Sequence, residues 1–150
     1  MNDQNHDNLK LQALLSFPLY AAAKETVKLY RPLLEELNLT YTQYIAMMVI
    51  WQRRRLNVKE LGAELYLDSG TLTPVLKSLE AKGYIFRNRS SEDERVLIVE
   101  LTETGEALRE KALPISEQML RHIVLDREEA QTLYKLLYKM LGGFGKAEKD

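Results

Sequence analysis

The sequence predicts a mainly α-helical protein of the α+β class, a winged helix-turn-helix domain with N- and C-terminal dimerisation helices. Within residues 57–105, two short amphipathic helices precede two β-rich runs that are joined by a polar tip. That order is typical of a helix-turn-helix followed by a β-hairpin wing. We therefore expect one domain over 1–150, with a winged lobe over 40–101 between dimerisation helices over 9–37 and 102–143.

The composition excludes several classes of protein. With 150 residues, 45% of them apolar, the chain can bury one core. No run of about 18 apolar residues is present to span a membrane, and the polar start MNDQNHDNLK lacks the features of a signal peptide. We therefore expect a cytoplasmic location and no membrane partner. Cysteine is absent, so neither a disulfide framework nor a cysteine-based metal site is expected.

Capping residues define the predicted helices. Side chains that can accept hydrogen bonds from a first helical turn occur at Thr40 with Gln43, Asn57 with Glu60, Asp68 or Ser69, Thr102, and Asp126 with Glu129. The first helical region, 9–37, is one helix or two helices joined at Pro18. Gly83 ends the fourth helix, and Gly142 and Gly143 are predicted to stop the last one.

Two β-rich runs form the predicted wing. Residues 84–89 and 96–101 are enriched in β-branched and aromatic side chains, as strands are. The segment between them, 90–95, is too polar to bury and is expected to form an exposed tip.

The helix that follows Asp68 or Ser69 suits DNA recognition. Leucines at i, i+4 and i+7 can face the core, which leaves small polar side chains to face base edges in a major groove. A glycine in the first turn permits close approach of a phosphate, which a helix N-terminus also favours. The candidate DNA-contacting residues of this helix are Ser69, Gly70, Thr71, Thr73 and Lys77. A solvated helix face with ordinary capping is the alternative interpretation. The net charge is −1, but residues 53–99 carry nine Lys and Arg against seven Asp and Glu.

Charged residues of the wing are the second group of candidate DNA contacts. Arg87 and Arg89 alternate along one strand, so both can project from the same face. Arg95 lies near the tip, where an arginine can enter a narrow minor groove, and Asp93 can hold it through a bidentate pair. The alternative is a surface ion pair worth well under about 1 kcal/mol, or a wing that contacts another protein.

Apolar residues at both ends of the chain exceed the needs of a small winged helix. They recur along the first helix and the last two helices, for example at Leu15, Leu29, Leu113 and Leu136. Two recognition helices spaced by about 34 Å fit a palindromic double-stranded DNA operator. We therefore expect a homodimer, with intrachain packing as the alternative use of these residues.

The order of the helices and two motifs resemble the MarR family of dimeric winged-helix regulators. The motifs are DSGTLTPVLKSLEAKGYI and SSEDERVLIVELTETG. The second contains the Asp93-x-Arg95 wing followed by Leu101, Thr102 and Gly105, which is the most specific signature of that family. The resemblance covers nearly the whole chain and implies a DNA-binding transcriptional repressor.

The N-terminal half resembles the organic-hydroperoxide-sensing branch of that family, the OhrR type. The segment SFPLYAAAKETVKLYRPLLEELNLTYTQYIAMMVIW carries this resemblance. In that branch a reactive cysteine in a Cys-Phe-x-Leu-Tyr context senses oxidant, and the resemblance places Ser16 at its position. It also implies that Tyr20 and Tyr30 match two tyrosines that hydrogen-bond the cysteine. Ser16, Tyr20 and Tyr30 are therefore the candidate sensor site.

Serine at position 16 keeps the shape of a cysteine without its redox chemistry. Pro18 suits the first turn of a helix, so Ser16 is expected at or next to an N-cap, where a thiol would have a lowered pKa. A serine hydroxyl does not follow the oxidation steps of a thiol, so this chain has no thiol switch. Two explanations remain open. Either Ser16 replaces a native cysteine to hold the DNA-binding state, or the serine is natural and another signal acts.

The alternative functions differ in the site that each requires. A regulator that naturally lacks the cysteine would respond to a small-molecule effector in a partly apolar pocket. The candidate lining residues, which can equally be core, are Tyr20, Tyr30, Met47, Met48 and Trp51. A winged helix that binds protein instead of DNA is a third interpretation. An enzyme is not expected, because His6 and His122 have no paired nucleophile or metal-ligand spacing, and neither a cofactor nor a metal is predicted.

Overall fold

The computed structural model describes residues 9–147, with side chains through residue 144, and His6 lies outside these residues. The chain forms two compact units that divide between Ser116 and Glu117. The first unit contains the winged lobe, and the second contains the last helix.

Six α-helices and three strands make up the described residues. The helices are α1 (Ser16–Glu35), α2 (Tyr41–Arg53), α3 (Val58–Leu65), α4 (Ser69–Ala81), α5 (Glu103–Leu120) and α6 (Arg127–Ala147), and the strands are β1 (Arg55–Asn57), β2 (Ile85–Arg89) and β3 (Leu97–Leu101). This composition confirms the predicted mainly α class with a small β wing.

The first helix is shorter than the predicted span 9–37. A 3-10 turn at Leu11–Ala13 and an extended residue after it precede α1, which begins only at Ser16. The region is therefore one helix with a preceding turn, and not two helices joined at Pro18. Asn38 then takes a φ of 53°, in the left-handed region that asparagine tolerates, and the chain turns into α2.

The predicted caps begin the helices of the lobe. Thr40 Oγ1 accepts a hydrogen bond from the Gln43 N–H at 3.2 Å, and Gln43 Oε1 accepts one from the Thr40 N–H at 3.1 Å. The capping box predicted ahead of α3 is complete in the same way. Asp68, and not Ser69, caps α4 by accepting from the N–H of Thr71. Local hydrogen bonds thus set the start of each helix.

The wing belongs to a three-stranded antiparallel sheet with the order β1-β3-β2. β2 and β3 form the predicted hairpin, in which Arg89 lies opposite Leu97. β1 is absent from the sequence prediction, because a strand of three residues is too short to show an alternating pattern. Its Leu56 is buried and lies opposite Val99 of β3.

One core joins the helices of the lobe to the sheet. Its best-buried large side chains are Leu34, Met47, Ile50, Leu61, Leu72, Leu76, Leu79, Ile85 and Val99. Three of them, Leu72, Leu76 and Leu79, form the face of α4 that was predicted to point inward. Burying that face fixes which side of α4 remains outside.

In the second unit, α6 begins where predicted and extends further than predicted. Asp126 Oδ1 accepts from the Glu129 N–H at 2.9 Å, and the Glu129 carboxylate accepts from the Asp126 N–H at 3.0 Å. The prediction that Gly142 and Gly143 stop this helix is wrong, because α6 runs to Ala147. A glycine ends a helix by taking a left-handed φ, which neither residue has. A helical glycine costs only about 1 kcal/mol relative to alanine.

Among the described residues, no helix combines the length and the apolar character needed to cross a membrane. The same part of the chain holds no group of three or more His, Asp or Glu side chains that could bind a metal ion.

Candidate nucleic-acid interface and sensor region

Helix α4 presents a polar side away from the core. Ser69, Gly70, Thr71 and Lys77 are exposed, as predicted for DNA-contacting residues. Thr73 is half-buried, and its hydroxyl donates to the carbonyl of Ser69 at 2.7 Å. The structure therefore brings four of the five predicted residues onto the outer side of α4 and turns Thr73 partly inward.

The N-terminus of α4 is capped yet open to approach. Asp68 Oδ1 accepts from the Thr71 N–H at 2.7 Å. That hydrogen bond is the main reason that the pKa of Asp68 lies below its ordinary value. A Cβ placed on Gly70 would meet only the Asp68 Oδ1, at 3.3 Å. The backbone at Gly70 is thus accessible from outside the protein.

Arg87 is bound within the protein and is not a free surface cation. Its Nη2 and Nε donate to Glu80 Oε2 at 2.7 and 3.0 Å, and its backbone N–H donates to Glu80 Oε1 at 3.1 Å. The guanidinium is the main cause that holds the pKa of Glu80 below its ordinary value. Only 18% of the Arg87 side chain is exposed. Arg87 therefore joins the wing to α4, whereas Arg89, further along β2, is exposed.

The tip of the wing is shaped by Asp93. Its Oδ1 accepts from the Arg95 N–H at 3.0 Å, and its carbonyl accepts from the Val96 N–H at 2.9 Å. The Arg95 side chain is 95% exposed, and its Nε lies 3.7 Å from Asp93 Oδ1. The predicted bidentate pair is not formed, and the two side chains make only this long ion pair. Arg95 is therefore exposed at the tip and only loosely paired with Asp93.

A run of three arginines spans the junction of α2 and β1, from the last residue of α2 to the first residue of β1, and the sequence alone did not identify it. Each arginine pairs with an acidic residue of a different element: Arg53 with Glu64 of α3, Arg54 with Glu106 of α5, and Arg55 with Glu100 of β3. The three consecutive arginines are the feature of the sequence that could have indicated this cluster of ion pairs. Because their side chains are 60–64% exposed, each pair is worth at most about 1 kcal/mol.

Ser16 is the first residue of α1, next to the N-cap residue Leu15, as predicted. No side chain caps this helix N-terminus. The N–H of Phe17 donates to the carbonyl of Leu14 at 3.2 Å, and Pro18 has no backbone N–H. Tyr20 is 62% exposed, and the Nζ of Lys24 lies 5.5 Å from the centre of its ring. In the described part of the chain, no hydrogen bond joins Ser16 to Tyr20 or Tyr30.

Tyr30 belongs to an aromatic cluster at the start of α2. Its ring centre lies 5.0 Å from that of Tyr41 and 5.9 Å from that of Tyr44. Burial is the main cause that raises the pKa of Tyr30 and of Tyr41. The separation of Ser16 and Tyr30 in sequence corresponds to about 21 Å along a helix that rises 1.5 Å per residue. These two members of the predicted sensor site are therefore far apart within one chain.

A groove of about 820 Å³ lies beside α1 and reaches the corner between α1 and α2. Its lining mixes apolar and cationic side chains, among them Tyr20, Val27, Leu34, Lys24, Arg31 and Lys82. Met48 and Trp51 line a separate pocket of about 160 Å³, and Met47 is fully buried. The residues predicted to line an effector pocket therefore do not share one cavity.

The chain is similar to known transcriptional regulators over most of its length. The family model of the transcriptional regulators SarA/Rot matches residues 28–112. The organic hydroperoxide resistance transcriptional regulator of Bacillus subtilis is 45% identical over 139 residues, which cover 93% of this chain and 95% of that protein. The HTH-type transcriptional regulator SarZ of Staphylococcus epidermidis is 42% identical over 127 residues, which cover 85% of this chain and 86% of that protein.

The fold also matches a regulator solved on DNA. The structure of reduced AbfR bound to DNA has a TM-score of 0.77 and 27% identity, covering 94% of this chain and 99% of that chain. AbfR is a protein of Staphylococcus epidermidis. The matching family and the similar proteins are regulators of transcription and not enzymes. The chain therefore belongs to the MarR family of winged-helix transcriptional regulators, in the branch of the organic hydroperoxide resistance regulators.

Proposed function

We propose that this protein is a homodimeric repressor that binds a palindromic double-stranded DNA operator in the cytoplasm. The observation that carries the proposal is the exposed polar side of α4, which is held on the lobe by three buried leucines and is followed by a wing. AbfR, a similar protein, has been solved on DNA. The proposal assigns 40–101 to DNA binding, and 9–37 and 102–143 to dimerisation.

The predicted contacts divide into two groups in this proposal. The first turns of α4 and Lys77 face base edges and phosphates, while Arg89 and Arg95 reach the backbone or the minor groove beside them. Arg87 and Asp93 act inside the protein, by joining the wing to α4 and by shaping its tip. Only the residues of α4, together with Arg89 and Arg95, are expected to touch DNA.

Exposed apolar side chains in each unit support the dimer. Leu15, the N-cap residue of α1, is 73% exposed, and Leu29 of α1 is 41% exposed. In the second unit, Val124 is 96% exposed and Leu136 is 53% exposed. Exposed apolar side chains of this kind need a partner that removes them from water. A second copy provides such a partner and matches the symmetry of a palindromic operator.

A duplex that the protein selects from a random-sequence pool tests this function. Fluorescence anisotropy should show tight binding that weakens steeply as salt rises, because phosphate contacts release counterions. Arg95→Ala should weaken binding by roughly tenfold, the effect of losing about 1.4 kcal/mol. Lys149→Ala changes a residue outside both the lobe and the proposed dimerisation helices, and it should leave binding unchanged. Equal affinity for unselected DNA would refute the proposal.

The sensor region is proposed to form between two chains. Because Ser16 and Tyr30 lie about 21 Å apart along α1, only a second copy can bring a Tyr30 phenol to Ser16. Two α1 helices that pack antiparallel would place the start of one helix beside the later turns of the other. A thiol at position 16 would then meet phenols at an uncapped helix N-terminus, where a thiolate is stabilised.

Serine at this position leaves the proposed repressor without a response to organic hydroperoxide. Ser16→Cys should restore the response, so that cumene hydroperoxide releases the variant from the selected duplex and leaves the serine protein bound. Ser116→Cys places a thiol at another exposed position and serves as the control. Release of both cysteine variants, or of neither, would contradict the assignment of the sensor site.

A second candidate is a regulator that naturally carries Ser16 and responds to a small-molecule effector. The groove beside α1 supports it, because its apolar and cationic lining suits a small apolar anion. Benzoate and decanoate are suitable probes. Release of the serine protein from the selected duplex by either anion would favour this candidate, and continued binding in both would favour the first.

A further inference from the structure

Gln43 is a buried polar side chain at the meeting point of three segments. It is 7% exposed, and no other polar side chain of the described residues is buried. Its Oε1 accepts from the Thr40 N–H at 3.1 Å and from Lys82 Nζ at 2.9 Å, and its Nε2 donates to Ser78 Oγ at 3.0 Å. Both acceptor positions of the amide oxygen are therefore used.

Lys82 extends these hydrogen bonds to the end of the α1 region. Its Nζ also donates to the carbonyl of Asn38 at 2.5 Å. Asn38 has the left-handed φ of 53° that turns the chain between α1 and α2. Burial lowers the pKa of the Lys82 ammonium group. The side chains of Gln43 and Lys82 thus connect three segments, which are the turn at Asn38 after α1, the start of α2 and the end of α4.

These hydrogen bonds, from Asn38, Thr40, Gln43, Ser78 and Lys82, form what we term the Gln43–Lys82 network. The network holds the end of α4 that lies away from the proposed DNA contacts. Lys82 is separated from Thr71 by about 16 Å along the helix axis, so a tilt of about 5° at Lys82 would displace Thr71 by about 1.4 Å. Side chains that read bases must be held to within about 0.5 Å. Recognition by α4 therefore depends on how this end is fixed.

We propose that Gln43 and Lys82 are positioning residues for operator recognition. They hold α4 in a fixed orientation relative to the turn at Asn38 between α1 and α2, and they do not touch DNA. This inference rests on the proposed function. Hydrogen bonds suit such a task better than apolar contacts, because they are directional and are lost when donor and acceptor separate. A buried partner left unpaired also costs free energy. The network therefore favours one discrete orientation of α4.

Two lysines of the same helix region provide a matched test, because Lys82 is bound inward and Lys77 is exposed. Lys82→Met should lower affinity for the selected duplex by roughly tenfold, within the range of 5- to 150-fold typical of coupled sites. Its affinity for poly(dI-dC), and the slope of log affinity against log salt, should stay unchanged. Lys77→Met should instead weaken binding to both DNAs and reduce the slope by about 0.9, as expected for a lost phosphate contact.

Gln43→Met removes the amide of the second central residue of the Gln43–Lys82 network and nearly preserves the side-chain volume. It should show the same loss as Lys82→Met, and the double variant should lose little more, because both changes disrupt one network. Unchanged binding to poly(dI-dC) identifies folded variants, and Lys82→Met carries the test if Gln43→Met does not fold.

Two results would overturn this inference and leave the proposed function intact. One is full affinity of Lys82→Met for the selected duplex, and the other is a salt slope for Lys82→Met that falls as it does for Lys77→Met. If the parent protein selects no duplex from the pool, the proposed function fails, and the inference fails with it. The behaviour of the parent protein therefore separates the two failures.

Discussion

Gly105→Ala tests the closest approach between α5 and the wing. A Cβ at this position would lie 2.2 Å from the carbonyl oxygen of Tyr84 and 2.8 Å from Leu101 Cδ1. Because carbon and carbonyl oxygen normally stay about 3.3 Å apart, the start of α5 must shift by about 1 Å. The site resists that shift, since the Gly105 carbonyl accepts from Trp51 Nε1 at 2.8 Å and its N–H donates to Thr102 Oγ1 at 2.9 Å.

The expected magnitude follows from this geometry. Overpacking a well-packed site costs about 1–3 kcal/mol, and a weakened indole hydrogen bond adds about 1 kcal/mol. The better helix propensity of alanine returns about 1 kcal/mol. We therefore expect Gly105→Ala to lower the free energy of unfolding by about 1–3 kcal/mol. Gly142→Ala is the matched control, since nothing lies within 4 Å of its Cβ, and it should raise that free energy by about 0.5–1 kcal/mol.

Urea unfolding at a fixed protomer concentration measures both variants, because the stability of a dimer depends on concentration. The sequence has a single tryptophan, so its fluorescence reports on Trp51 beside the substituted position. Circular dichroism follows the helices independently. If Gly105→Ala unfolds with a free energy within about 0.5 kcal/mol of the parent, the size of an ordinary surface substitution, the steric argument is refuted.

Three further predictions concern the lobe and the exposed faces. Arg87→Ala should lower the free energy of unfolding by about 1 kcal/mol, since its pair with Glu80 is partly exposed, and additive losses in a double-mutant cycle with Glu80→Ala would contradict this pairing. The lowered pKa of Asp68 means that its ionised form stabilises the fold above its unfolded pKa and that this stabilisation is lost as pH falls through the folded pKa. The stability difference between the parent and Asp68→Ala, measured by urea unfolding, should therefore shrink under acid conditions, and a difference independent of pH would contradict it. Leu136→Glu should shift sedimentation equilibrium towards the monomer, and an unchanged mass would exclude that face from the dimer interface.

Structural features that depend on residues close together in the chain could be predicted from the sequence. The capping box of Thr40 and Gln43 involves residues three positions apart, so it predicted the start of α2 before any packing was known. The spacing of Leu72, Leu76 and Leu79 predicted the buried side of α4. Pro18, which suits the first turn of a helix, predicted Ser16 at or next to an N-cap, and α1 begins at Ser16.

Structural features that depend on the packing of distant residues could not be predicted in this way. β1 exists because Leu56 can lie opposite Val99, and three residues carry no pattern of their own. Gly142 and Gly143 resemble a helix stop, yet their backbone has no left-handed φ and α6 continues. The spacing of Asp93 and Arg95 predicted a bidentate pair, but Asp93 Oδ1 accepts from the Arg95 N–H and the Arg95 Nε stays 3.7 Å from that oxygen.

Sequence alone was sufficient for the order of the helices and of the β-hairpin, for most of the helix caps, for the family and for the lack of any thiol. The tertiary structure decided which polar side chains remain free for DNA. Arg95 and Lys77 are exposed, whereas Arg87 is bound by Glu80 seven positions away and Lys82 by a residue 39 positions away. A cap forms between neighbours in the chain and needs no other element. A pairing between distant side chains forms only when packed helices and strands bring them within hydrogen-bond distance.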